Sequence, residues 1–209
     1  MDKAANKPRQ QGDSRELLIQ VARQLFASKG YSATTIRDIV DKAGLNVSLI
    51  SYHFGGKEAL YREVLKGLAN KEEELIIDTL GRPDSRAAFE QQILSYIEAS
   101  IGDAVVDPSR ISLMSREFDN HSPVFQELMG PIFLKAIEGM VAFWAHAKEK
   151  GFITSDSEPI VVGNLLYSCI HNTVRMDRIR QAATNRTIQN PDNRRHLCQA
   201  IHRLFIGKL

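Results

Sequence analysis

The sequence predicts an all-α protein, and three observations point to that class. Apolar residues recur at helical spacing along most of the chain, and the first such series is Leu17, Leu18, Val21, Ala22, Leu25 and Phe26. Glycine or proline closes these stretches, as at Gly30, Gly44 and Pro83. No stretch shows the strict apolar and polar alternation of a half-buried strand. We therefore expect about nine helices, with a three-helix unit at the N-terminus and a larger helical body after it.

Composition limits the classes of function. The hydrophobic fraction of 43% and the charged fraction of 25% are ordinary for a globular protein, and the net charge is only +2. Residues 1–66 carry 11 Lys/Arg against 7 Asp/Glu, whereas the remainder carries 16 against 18. A modestly basic N-terminal third fits contact with nucleic acid.

The same inventory predicts a reduced, cytoplasmic protein without a metal or cofactor. No run of about 18 apolar residues is present, so we expect no membrane span. The first residues are polar and do not resemble a signal peptide. Cys169 and Cys198 are far apart and match no metal-ligand spacing.

The first two helices have clear start and stop signals. Residues 1–13 are expected to form a flexible arm, and a helix runs from Ser14 to Lys29. Thr35 and Asp38 form a capping pair for a short second helix that Gly44 ends.

A third helix over 46–54 completes a helix-turn-helix with the second helix. At 100° per residue, Val47, Ile50 and Phe54 face the body, while Ser48, Leu49 and Tyr52 face outward. Small hydroxyl and aromatic groups on the outward face suit a major groove, and Asn46, Ser51 and His53 flank them.

Gly55-Gly56 allows a sharp turn, after which Lys57 opens a long fourth helix. A lysine beside exposed helical N–H groups can hold a backbone phosphate, and the hydroxyl and amide of Thr35 can contact the same strand. The candidate DNA contacts are therefore Thr35, Asn46, Val47, Ser48, Leu49, Ser51, Tyr52, His53 and Lys57.

The fourth helix runs over 57–80, and the triple Glu72-Glu73-Glu74 on it is expected to be a solvated face. Pro131 is expected to kink or split one of the later helices. Those later helices are predicted at about 85–101, 109–119, 122–150, 158–180 and 191–206. The expected domains are 14–66 for the helix-turn-helix and 67–209 for the body.

The last two helices, over 158–180 and 191–206, are candidates for a homodimer interface. Residues 160–174 are apolar on more than one face, and Gly163 and Ser168 allow close approach. Burial within one chain is the alternative explanation.

Several middle-helix residues are candidates for lining a small-molecule cavity, although plain core packing explains them as well. Arg116 beside such a cavity can hold an anionic ligand, or it can pair with Glu117 or Asp119. The set is Met114, Arg116, Phe118, His121, Phe133, Trp144, Tyr167 and His171.

The segment "LLIQVARQLFASKGYSATTIRDIVDKAGLNVSLISYHFGGKEALYREVL", residues 17–65, resembles the DNA-binding domain of the TetR/AcrR family of bacterial regulators. That resemblance implies a C-terminal ligand-binding and dimerisation domain. It also implies binding to a palindromic DNA operator as a homodimer and release by an unidentified small molecule. Two positions depart from the family pattern: Ser51 stands where an aromatic is common, and Gly56 replaces a usual Ser or Asn cap.

We therefore expect a DNA-binding transcriptional regulator rather than an enzyme, and a repressor in particular. The sequence has no Gly-rich phosphate loop, no His-Glu-x-x-His and no nucleophile elbow. One alternative is a DNA-binding regulator without a small-molecule effector, controlled by a partner protein or acting constitutively. The other is an all-α enzyme or binding protein in which the N-terminal helices only cap the body.

Overall fold

The structure, a computed structural model, describes residues 11–120, 123–153, 156 and 158–207, apart from a few side chains within helices. Every regular element in these ranges is helical, which confirms the predicted class. The ten helices are α1 (Gln11–Lys29), α2 (Ile36–Ala43), α3 (Ser48–Phe54), α4 (Lys57–Thr79), α5 (Arg86–Val106), α6 (Pro108–Asn120), α7 (Pro123–Glu149), α8 (Pro159–Arg175), α9 (Asp177–Thr184) and α10 (Pro191–Ile206). Within these ranges each helix is too short or too polar to span a lipid bilayer.

The chain divides into two compact units, and the boundary lies between Gly67 and Leu68, inside α4. In the first unit, α1 packs against α2 and α3. Its core is a continuous set of buried apolar side chains from all four helices, among them Leu18, Ala22, Phe26, Ile39, Ile50, Leu60 and Leu65. Burying this set offsets the entropy of ordering the two short helices α2 and α3, which would be marginal alone.

In the second unit, α7 packs on α8 and α5 packs on α10. The largest fully buried side chains are Trp144, Tyr96 and Phe89. The Phe89 ring stacks on Phe143 at 5.3 Å and meets Trp144 edge-on at 5.5 Å, both between ring centroids. These aromatic contacts join α5 to α7 in the core of the second unit.

Several boundaries differ from the sequence expectations. The predicted helix over 158–180 is two helices, α8 and α9, which Met176 separates. The Asp177 carboxylate accepts hydrogen bonds from the Thr187 hydroxyl at 2.7 Å and the Ile188 amide at 3.0 Å, so α9 is tied to the loop after it. Pro131 does not split its helix, because α7 is continuous from Pro123 to Glu149.

Candidate DNA-binding surface and effector cavity

Helix α3 begins at Ser48 rather than at residue 46, and this changes the role of Val47. Its side chain is 57% exposed, so the expectation that Val47 packs inward was wrong. As the residue before the first helical position, Val47 is outside the helical stripe on which Ile50 is fully buried. Phe54 is half-buried, so Ile50 is the principal anchor of α3.

The start of α3 is capped by Asn46. Its side-chain oxygen accepts hydrogen bonds from the Ser48 amide at 2.9 Å and the Ser48 hydroxyl at 2.8 Å. The cap fixes the first turn of α3 by satisfying an amide that has no helical partner. Both polar groups remain exposed, so the cap leaves them at the surface.

The outward face of α3 is polar and open. Tyr52 is 66% exposed and Ser51 is exposed, whereas Leu49 and His53 are half-buried. The Tyr52 ring meets the His53 ring edge-on at 5.0 Å between centroids. This face presents hydroxyl and ring groups from an anchored helix, an arrangement that can enter a major groove.

Two glycines with positive φ make the turn between α3 and α4. Gly55 has φ 81° and Gly56 has φ 153°, where a side chain would be strained. The turn brings Lys57 to the first position of α4, where its ammonium lies 4.3 Å from the centre of the Tyr31 ring. Tyr31 contacts the rings of Phe26 and Tyr61 in turn. The half-buried Lys57 is therefore held at the helix N-terminus, where backbone N–H groups attract anions.

Thr35 has a more definite structural role than the sequence interpretation gave it. Its hydroxyl accepts from the Asp38 amide at 3.0 Å, and its own amide donates to the Asp38 carboxylate at 2.8 Å. The two residues form a capping box at the start of α2. The Thr35 amide and hydroxyl, with Lys29 at 3.1 Å, lower the pKa of Asp38 to about 2. The hydroxyl and amide assigned to DNA contact are thus engaged within the protein.

The second unit contains a cavity of about 250 Å³, named here the α7/α8 cavity. Its wall is mostly apolar, with the polar residues Glu72, Asn164 and Tyr167 on it. The apolar members include Ile76, Ala136, Ile137, Met140, Val141 and Ile160. A second cavity of about 220 Å³ shares Phe118 and Tyr167 with it. A largely apolar wall with a few convergent polar groups is typical of small-molecule sites.

Glu72 was expected on a solvated face of α4, and that expectation was wrong. Its side chain is only 12% exposed, and one carboxylate oxygen accepts a hydrogen bond from the Tyr96 hydroxyl at 3.0 Å. Burial raises the pKa of Glu72 and lowers that of His171, 4.0 Å away, to about 4. The signal was present in the sequence, because Glu72 continues the buried stripe of Leu65, Leu68 and Ile76 at helical spacing.

The structure brings four of the sequence-predicted cavity residues to these walls: Met114, Phe118, Tyr167 and His171. Trp144 is fully buried and belongs to the aromatic core instead. Arg116 is half-buried and does not line either cavity. His121 and the side chain of Phe133 lie outside the described residues. The sequence analysis did not predict that Glu72 lines the cavity, because its charged neighbours indicated a solvated face.

Gly163 lets α8 approach α7. A Cβ atom built at this position would lie 2.6 Å from Met140 Cγ and 3.5 Å from Trp144 Cδ1. The expected close approach at Gly163 therefore occurs within the chain, against α7. Gly163 and Met140 also line the α7/α8 cavity, so this contact forms part of the cavity wall.

Apolar side chains remain exposed on the outer faces of α8 and α10. Leu165 is 59% exposed, Val161 is 45% exposed and Leu204 is 60% exposed. The inner faces of the same helices are in the core, with Leu166, Ile170 and Ile201 buried. The two helices are thus apolar on two sides, which fits coverage by another surface.

Comparison with known proteins identifies the family of the first unit. The sequence profile of the family described as "Bacterial regulatory proteins, tetR family" matches residues 18–64. This is the region that contains the helix-turn-helix, the Gly55-Gly56 turn and Lys57. The first unit therefore contains a helix-turn-helix domain of the TetR family. The sequence-based resemblance is therefore confirmed, and the matched family is one of regulatory proteins rather than enzymes.

A curated relative and two solved structures extend the comparison. The HTH-type transcriptional repressor KstR2 of Rhodococcus jostii is 38% identical over 86 residues, which cover 39% of this chain and 41% of that protein. The chain thus spans well under half the length of the first curated relatives that it matches, from 31% to 41%.

The TetR family regulator PfmR of Thermus thermophilus matches with a TM-score of 0.71 and 18% identity, over 93% of this chain and 96% of that chain. FadR of Bacillus subtilis in complex with stearoyl-CoA matches with a TM-score of 0.72 and 13% identity, over 93% and 98%. At these identities the two structures show that the fold is shared across both units.

Proposed function

We propose that this TetR-family protein is a DNA-binding transcriptional repressor. The observation that carries the proposal is the exposed, capped α3 beside Lys57, within the segment that matches the family. Ser48, Ser51 and Tyr52 are open to a major groove, while Ile50 anchors the helix. Such a protein acts in the cytoplasm, where bacterial DNA is.

The proposed contacts divide into positioning and reading groups. Lys57 at the N-terminus of α4 grips a backbone phosphate, and Thr35 holds α2 in place through its cap. Base edges are read by the outward face of α3, to which the exposed Val47 now belongs. The remaining contacts, Asn46, Leu49 and His53, flank that face.

The proposed active form is a homodimer that uses α8 and α10. Exposed Val161, Leu165 and Leu204 support this, because a second copy would cover them. Two recognition helices about 34 Å apart read the two halves of a palindromic operator, whereas one short helix buries little surface.

The proposed effector site is the α7/α8 cavity, which favours ligand control over a constitutive regulator. Glu72 and Ile76, which line the cavity, lie on the same continuous helix as Lys57. A ligand that prefers one position of α4 therefore changes DNA affinity, in proportion to its different affinity for the two states.

The test is a gel-shift titration with DNA flanking the protein's own gene, at several salt concentrations. We expect a palindrome-containing fragment to bind and a scrambled copy of equal length to bind far more weakly. Lys57→Ala should weaken binding to all fragments about ten-fold and reduce the salt slope by about 1. Lys150→Ala removes the same charge from an exposed site in the second unit and serves as the matched control. Equal affinity for palindromic and scrambled DNA would refute the proposal.

A further inference from the structure

The polar side of the α7/α8 cavity is built around one carboxyl group. Glu72 lines the cavity, and its charge contributes to raising the pKa of the nearby Tyr167. The Tyr167 hydroxyl is buried and has no hydrogen-bond partner among the described residues, yet Tyr167 also lines the cavity. An acid and an unpartnered hydroxyl thus share an otherwise apolar space.

Glu72 lacks a positive partner of its own. Among the described residues, His171 is the only basic side chain within 4.0 Å of its carboxylate. Because burial lowers the pKa of His171 to about 4, that ring is neutral at pH 7. Arg110, which lowers the pKa of Glu72 from a greater distance, forms its ion pair with Asp103 at 3.0 Å. A buried carboxylate without a cation is costly, and a ligand that supplies the cation removes that cost.

Aromatic rings complete the surroundings. The Tyr167 ring stacks on His171 at 3.9 Å between centroids, and the Phe118 ring lies on the same cavity wall as Tyr167. Ring faces attract alkylammonium groups, and the attraction grows where water is excluded. A carboxylate together with aromatic faces is a favourable environment for a protonated amine.

We propose that the α7/α8 cavity binds a small amphiphilic cation, whose protonated amine contacts Glu72 and Tyr167 and whose apolar body lies along α7. Its identification as the effector rests on the proposed function, but its binding does not. The cavity volume of about 250 Å³ limits the ligand to a compact body.

The same geometry disfavours an anion in this cavity. None of the described lining residues is lysine or arginine, so a carboxylate or phosphate would meet Glu72 without a compensating charge. FadR of Bacillus subtilis is described in complex with stearoyl-CoA, whose phosphates carry the opposite charge. The shared fold therefore accommodates a different ligand chemistry here.

The experiment compares three ligands with one apolar chain and different head groups: octylamine, 1-octanol and octanoate, each at a concentration at which it is dissolved as a monomer. Calorimetric titration of the full chain without DNA gives the affinities, so the result does not depend on operator binding. We expect octylamine to bind about ten-fold or more tightly than octanol, and octanoate to bind most weakly. Glu72→Gln, which keeps the side-chain shape, should abolish the preference for the amine and leave octanol affinity within about three-fold.

Glu74→Gln is the matched control, because Glu74 is two positions away on α4 and exposed. It should retain the amine preference. Tyr167→Phe provides a second variant and should weaken the amine a few-fold. Equal binding of amine and alcohol, tighter binding of octanoate, absence of binding by all three, or a preference that survives Glu72→Gln would each overturn the proposal. The gel-shift test of operator binding is independent of this calorimetric result.

Discussion

The functional polar side chains of the two units differ in their exposure to solvent. In the first unit, Thr35, Asn46 and Ser48 are exposed and their hydrogen bonds cap short helices. In the second unit, Glu72 and Tyr167 are withdrawn from water beside a cavity. A large polyanion needs an exposed, rigid polar face, whereas a small molecule is recognised by a few groups kept away from solvent. The contrast is consistent with the proposal that the first unit binds DNA and the second unit binds a small molecule.

The largest effect is expected from the anchor of α3. Ile50→Ala should destabilise the first unit by about 2–5 kcal/mol, because it leaves a cavity at a fully buried site. Val47→Ala should change stability by less than about 0.5 kcal/mol while altering DNA affinity, because that side chain is 57% exposed. Chemical denaturation and gel shifts measure the two quantities. Similar destabilisation by both changes would mean that the Val47 side chain is buried in the core.

The outer face of α8 offers the next largest effect. Leu165→Asp should convert the proposed dimer to a monomer and reduce operator affinity about 100-fold, since a charge at an apolar dimer contact is strongly unfavourable. Light scattering measures the mass and a gel shift measures affinity. Val106→Asp, at an 86% exposed position on α5, is the control and should leave both unchanged. A variant of Leu165 that remains dimeric would place the interface elsewhere.

The buried imidazole of the second unit predicts a pH dependence. The pKa of His171 is lowered from 6.5 to about 4, so its neutral form stabilises the fold above pH 6.5, and this contribution declines as pH falls toward 4. Between pH 7.5 and pH 5, we expect the wild type to lose on the order of 2 kcal/mol more stability than His171→Gln. Denaturation curves at the two pH values test this, and identical losses would show that the imidazole is solvated.

The smallest effect concerns the cap of α2. Thr35→Ala should reduce the stability of the first unit by about 1 kcal/mol, because the Asp38 amide loses its acceptor. Ser32→Ala, at an exposed position just before the cap, should have almost no effect. If Thr35→Ala also weakens DNA binding beyond what the stability loss explains, Thr35 contacts the phosphate backbone in addition to capping α2.

The sequence-based predictions were most accurate for features that depend on neighbouring residues, such as helix ends. The Thr35–Asp38 capping box and the stop at Gly44 depend on neighbouring residues, and both occur in the structure. The burial of Glu72 was missed, because the run Glu72-Glu73-Glu74 was interpreted as a solvated face. The position of Glu72 in the buried helical stripe of α4 was overlooked.

Features that depend on contacts with other segments of the chain could not be predicted from the sequence. Immediately after the break between α8 and α9, Asp177 accepts hydrogen bonds from Thr187 and Ile188, which follow the end of α9. The α7/α8 cavity exists because α7 and α8 meet at Met140 and Gly163, and no spacing in either helix encodes that meeting.

The glycine contact between α7 and α8 has a consequence for how ligand range evolves. Any side chain at Gly163 collides with Met140, so this part of the wall tolerates little substitution. Ile137, Val141 and Ile160 line the same space without that restriction. If the cavity holds the proposed effector, descendants of this protein that acquire new effectors are expected to vary at those three positions and to retain the glycine.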